Sequence, residues 1–458
     1  MSRPYDACML ITTLLAVGLA TAATDGSQAE ATDALRTQPT RALDARIDPK
    51  KITSLAPPKP PARLTPPPAV VRRIAEAAGE VPVKPECFDQ ARKAIERGLA
   101  FLRSAQSPDG GWMEGVQGQG SEAQKPSKAA SAAVTALVVR AFAQAGMTDA
   151  NDPAVATGVT RLLAQVTGEK GFAPDASGGL ETYVASSTAL ALAALDSRAH
   201  AERLQEIVAW LRTAQWDQGE GVRPEQDWFG GVGYGSRGRP DLSNTQFMLD
   251  ALHDAGVKAD DAAVQRALAF VARCQNLRRE EAPAWAAQGG GDGGFVYAVA
   301  NGGESFASEA AGEGRYGEKM PEGTRSLRSY GSMTYAGYKS MLFAGLERDD
   351  PRVQAALDWI RAHFSMQENP GLGKQGLFYY RLAMSRALLA GGSDTVQDAG
   401  GAAHDWRCEL VAAIAAEQRA DGAWVNAQDR WMEGSPELVT AYAVLALEEA
   451  IKPTRRSN

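Results

Sequence analysis

One sentence of residues recurs along this chain, and a repeat is the strongest constraint a sequence can place on a fold. Ile95 to Gln106 is followed by Asp109-Gly-Gly-Trp112, and Val264 to Gln275 by Asp292-Gly-Gly-Phe295. Partial copies stand at Val155 to Phe172, at Leu204 to Gln215 with Gly230-Gly231, at Val353 to Phe364, and at Cys408 to Gln418 with Asp421-Gly-Ala-Trp424. Six units fit between about residue 88 and about residue 450, or roughly 60 residues per unit.

Each unit opens with apolar residues at helical spacing, as in Ala91, Ile95, Leu99 and Leu102, which predicts a helix with one wet face. A Gly-containing turn follows. A second helix then reads as apolar on nearly every side: 129–146, 186–195, 242–256, 332–345, 377–389 and 438–450. Such helices must be buried all round. Six hairpins of this kind pack most simply as two concentric rings, giving an all-α (α/α)6 toroid. An open solenoid is the rival, but it needs polar capping repeats, and neither end of the array is polar. The repeated Gln is expected to bond backbone in the last turn of its own helix, with the Trp or Phe lying over the junction to the next hairpin.

With 44% hydrophobic and 22% charged residues, the 458-residue chain is ordinary globular material. A net charge of -7 argues against nucleic acid as a partner. The apolar run Met9 to Ala20, ending in Ala20-Thr-Ala22, reads as a signal peptide over 1–22. It is short of the roughly 20 residues that cross a bilayer, so cleavage to leave no transmembrane span is favoured over a retained anchor. A polar, then Pro-rich linker is expected over 23–86, the toroid over 87–452 and a short tail over 453–458. The expected location is periplasmic or extracellular. Cys87 and Cys408 both lie near the start of outer helices, the first and the last, so a ring would bring them together as a disulfide. Cys274 is left over.

The repeated Gln and Asp-Gly-Gly-aromatic turns, with small-residue helices between, resemble the repeats of squalene-hopene and oxidosqualene cyclases and of protein prenyltransferase β subunits. The resemblance implies an α/α toroid with a central cavity. It also implies a test. Bacterial cyclases of this family carry Asp-x-Asp-Asp-Thr at the start of an inner helix, the middle acid being the proton donor. Here the matching segment is Asp241-Leu242-Ser243-Asn244-Thr245. Ser243 stands in the donor's place, and a hydroxyl cannot protonate an alkene. Asp241 reads first as a helix N-cap and is left as a weak catalytic candidate. The zinc ligands of the prenyltransferases have no counterpart in 329–335 or 436–442, and His200, His253, His363 and His404 show no ligand spacing. No metal and no cofactor is expected.

The inner helices should all begin at one rim, where unpaired amides favour anions or polar groups. Aromatic residues cluster near it, and Trp112, Tyr183, Trp228, Tyr234, Asp241, Tyr330, Tyr335 and Tyr380 are the candidate ligand-binding residues of the mouth or cavity. Tyr297 and Tyr379 accompany them. The long Gly- and Glu-rich insertion over 299–328 is placed to cover that mouth. Two functions stay open: a toroid that binds a small apolar molecule, a glycan or a protein without cyclase chemistry, or an atypical cyclase or other toroid enzyme using Asp241 and the cavity aromatics.

Overall fold

The computed structural model describes residues 83–113, 127–169, 171–175, 179–235, 237–280, 282–287, 290–319 and 325–452. The expected signal peptide, nearly all of the linker and the tail at 453–458 lie outside these. Among the described residues twelve long helices alternate between two roles. The outer helices are α1 (Pro85–Ser104), α3 (Pro153–Gln165), α5 (Ala201–Ala214), α7 (Ala262–Arg273), α9 (Pro351–Ala362) and α11 (Trp406–Ala416). The inner ones are α2 (Lys128–Gln144), α4 (Glu181–Leu195), α6 (Leu242–Asp254), α8 (Gly331–Phe343), α10 (Leu377–Gly391) and α12 (Pro436–Ala450). Each inner helix packs on the next, and α12 packs back on α2, so the ring is closed. The fold is an all-α toroid. Strand structure among the described residues amounts to three two-residue antiparallel pairs in connecting loops and a few isolated bridges.

Local chemistry explains where the helices start. Ser127, Asp152, Asp241, Asp261, Asp350, Asp405 and Ser435 each accept a backbone amide at an N-terminus with the side chain. Two of these caps also tie neighbouring outer helices: Arg103 of α1 reaches Asp152 at 2.7 Å and Arg212 of α5 reaches Asp261 at 2.8 Å.

The Gln of the repeat does something different from what its place in the sequence suggested. It bonds the glycine carbonyl of the following turn and, across the hairpin boundary, a carbonyl of the next outer helix. Gln106 donates to Gly110 and Ala154, Gln215 to Gly230 and Ala263, and Gln275 to Gly293 and Arg352. Gln418 donates to Gly422 and Ala94, so the last unit grips the first at 2.9 Å. The staple therefore joins units and does not end a helix. The aromatic completes it: the indoles of Trp112 and Trp424 donate to Leu102 and Ile414 of their own outer helices, while their amides donate to Thr135 and Thr440 of the following inner ones. At Gly230 the backbone takes a φ of 84°, and an added Cβ would lie 1.8 Å from the Arg266 carbonyl oxygen, so only glycine fits.

Cys87 and Cys408 are joined in a disulfide with Cα atoms 5.3 Å apart, a second tie between α1 and α11. Cys274 is buried, and burial raises its thiol pKa.

Candidate functional site

A cavity of about 130 Å³ lies at the end of the ring where the inner helices begin. Early turns supply part of the wall: Ala130 and Ala133 from α2, Tyr183 from α4, Ser243 from α6, Met333 from α8, Tyr379 from α10 and Tyr442 from α12. Loops supply the rest, with Tyr234, Tyr297 and Tyr330 on one side and Phe306 and Trp431 at the mouth. Tyr183, Tyr234, Tyr379 and Trp431 are only partly buried, so the space reaches solvent. Its volume is close to the roughly 150 Å³ at which an engineered apolar cavity stays dry and admits benzene.

Several of the tyrosine hydroxyls are tied into the wall. Tyr183 and Tyr442 share a hydrogen bond of 3.0 Å, and Tyr379 meets Ser243 at 3.1 Å and accepts from the Gln246 amide at 3.1 Å. Burial pushes Tyr183 up to about 12, so it stays neutral. Ring faces and edges are left for whatever enters.

One carboxyl group lines this space. Glu433 is buried at 1% exposure and accepts from the backbone amides of Phe378 and Tyr379 and from the side chain of Asn426. Burial nevertheless pushes it up to about 7. The two residues before it, Trp431 and Met432, hold φ of 58° and 66°, a conformation that costs a non-glycine residue of order 1–3 kcal/mol. That turn aims an aromatic ring and a carboxyl group into the same cavity. Arg430 braces it, stacking on Phe306 and Trp431 and bonding Gln375 at 2.7 Å and Glu309 at 2.8 Å. The insertion thus meets the mouth through Phe306 and Glu309.

Of the candidate residues, Tyr183, Tyr234 and Tyr330 line the cavity and the others do not. Trp112 is fully buried as a staple between units. Trp228 packs edge-on against Trp216 outside the ring. Tyr335 and Tyr380 pack on each other, with Tyr380 donating to the Ser365 carbonyl. Asp241 lies behind the lining, capping α6 through Asn244 at 2.8 Å, and burial pushes it up to about 6. Several amides of the rim are already engaged. Those of α6 face Asp241, those of α10 face Glu433, the Ser332 amide donates to Asn369 at 2.9 Å, and the Thr182 amide donates to the Tyr234 carbonyl.

Sequence reasoning missed Phe306, Trp431, Glu433 and Tyr442 as cavity residues. It also missed a charged plug at the other end of the bore. The inner helices are not apolar all round: Arg140, Asp250, Lys339, Arg386, Glu448 and Glu449 are buried near their C-termini. Lys339 meets Asp250 at 2.6 Å and the Gln246 side-chain oxygen Oε1 at 2.6 Å, and Arg386 reaches Asp250 at 3.2 Å and Glu449 at 3.3 Å. Burial lowers Lys339 to about 8, and burial holds Glu448 well above the usual carboxylate range. Charged residues near the C-terminal ends of five otherwise apolar helices were the available signal.

No family profile and no curated protein matches the chain. Among solved structures it is similar to type II terpene cyclase MstE from Scytonema in its apo form, at TM-score 0.33 and 14% identity over 79% of this chain and 99% of that one. A variant of the same cyclase in complex with geranylgeranyl dihydroxybenzoate aligns at TM-score 0.33 and 14% identity, over 80% of this chain and 99% of that one. D-mannose isomerase aligns at TM-score 0.50 and 12% identity, over 79% of this chain and 96% of that one. At that identity the likeness to the isomerase concerns the fold alone.

Proposed function

We propose that this protein is an exported toroid that binds one ring-sized, largely apolar group of a ligand through its mouth and carries out no isoprenoid cyclisation. The observation that carries the reading is the cavity: about 130 Å³, walled by aromatic rings, and open at the end where the inner helices begin. A space of that size matches a benzene-like group. The hydroxyl of Ser243 lies in the wall, hydrogen-bonded to Tyr379, and supplies no acid. The bridge between Cys87 and Cys408 supports an oxidising compartment.

The test uses the full chain. Toluene is expected to raise the melting temperature of the wild type and to leave that of Ala133→Phe, which fills the cavity, unmoved. Incubation with squalene or shorter isoprenyl diphosphates is expected to return them unchanged. A toluene-independent melting temperature, or a cyclic product, would overturn the reading.

A second reading has its own observation. Asp241 and Glu433, held at about 6 and about 7 by burial, are carboxyl groups poised for proton transfer beside an aromatic cavity. A cyclic product that disappears in Asp241→Ala or Glu433→Gln would favour an enzyme.

A further inference from the structure

We infer that the group entering the cavity is a cation, an alkylated ammonium, surrounded by the ring faces of Tyr183, Tyr330, Tyr379 and Tyr442 and neutralised by Glu433. This rests on the reading of the cavity as a ligand site and names what the site selects.

An apolar cavity needs no carboxyl group, and burying one is costly. Here one lies in the lining, 1% exposed, and its hydrogen-bond partners are two backbone amides and the Asn426 side chain, all neutral. The cation that acts on it from a packed element, Arg381 of α10, is already held by Glu417 at 2.8 Å and by the Met366 carbonyl. Tyr379 and Tyr442, which face Glu433 from α10 and α12, stay neutral because burial raises both. Arg430, on the same loop as Glu433, is engaged by Glu309 and Gln375. A negative charge on Glu433 therefore has no full partner among the described residues.

The walls suit the same guest. Aromatic faces attract a cation within about 6 Å of the ring, by about 2 kcal/mol or more once water is excluded. Tyr183, Tyr379 and Tyr442 keep their hydroxyls on wall partners and so present ring surface. Phe306 and Trp431 are already stacked on Arg430, with the guanidinium 5.0 Å and 4.6 Å from their centroids, so the faces left for the guest are those of the tyrosines. An anionic guest would meet Glu433. Ser332 and Asn369, polar side chains of the lining, are bonded to each other.

The experiment is calorimetric titration of the full chain at pH 8 with choline and with 3,3-dimethylbutan-1-ol, which has a carbon in place of the nitrogen. Choline is expected to bind about tenfold more tightly. Its advantage should shrink as the pH falls from 8 to 6 and Glu433 takes up a proton, and should be smaller at pH 8 in Glu433→Gln, the remainder being what the aromatic faces supply. The pH series on the unaltered protein keeps the test valid if that variant fails to fold. Equal or tighter binding of the alcohol would overturn the cation and leave the cavity reading intact. Binding of neither compound, with toluene also excluded, would overturn both.

Discussion

At the scale of single residues, the fold is held by groups with one permissible identity. Gly230 is such a position, since an added methyl would meet the Arg266 carbonyl at 1.8 Å in a backbone already at positive φ. Gly230→Ala is expected to cost about 3 kcal/mol or more in denaturant unfolding, whereas Gly256→Ala, at φ of 81° in open space, should cost about 1 kcal/mol. Glu433 makes the corresponding electrostatic statement. Its folded value, about 7, lies above its ordinary 4.5, so the folded chain holds the proton longer than the unfolded chain. The stabilisation is complete below the unfolded value and is lost as pH rises through the folded one. The protein should therefore lose up to roughly 3 kcal/mol between pH 4 and pH 8 through this group. Denaturant curves at both pH values should show a smaller loss in Glu433→Gln. The acidic character of Asp241 was visible in the sequence because a carboxylate before a helix pattern is an N-cap signal, and the structure uses it so. Glu433 was not visible, because its value to the cavity depends on two left-handed residues before it that no propensity announces.

At the scale of elements, the inner helices combine two ends of opposite character. Their first turns carry tyrosine, serine and alanine into a cavity, and their last turns carry a buried ionic network. Periodicity reported the first property as all-round burial and was blind to the second, since isolated charges in apolar helices are averaged away. The network is costly to break on one side. Lys339→Met on α8 leaves Asp250 facing Arg386 alone and should destabilise the protein by roughly 3–5 kcal/mol, read from the shift in the denaturant midpoint at constant slope. The outer helices were the more legible set, because a wet face or a Gln followed by a Gly turn marks most of them. Even there the direction of the Gln bond was not readable, as its acceptor lies about 50 to 80 residues farther on, or some 320 residues back in the case of Gln418.

At the scale of the whole molecule, closure is what turns six hairpins into a container. The ring is shut by packing of α12 on α2, by the Gln418 bond to Ala94, and by the bridge between Cys87 and Cys408 across 321 residues. Replacing both cysteines by alanine should lower stability by about 2–5 kcal/mol through the lost constraint on the unfolded chain, with the native spectrum unchanged in circular dichroism. The closed ring could be read from the repeat, since six copies with no polar end have nowhere to stop except on each other. The ligand could not be read, since the lining is assembled from first turns, an insertion and a strained loop that only the closed ring brings together. Crystals of the full chain under xenon pressure test this most directly. The account predicts a xenon atom enclosed by Tyr183, Tyr330 and Tyr442, and a bore without xenon at that point would contradict it.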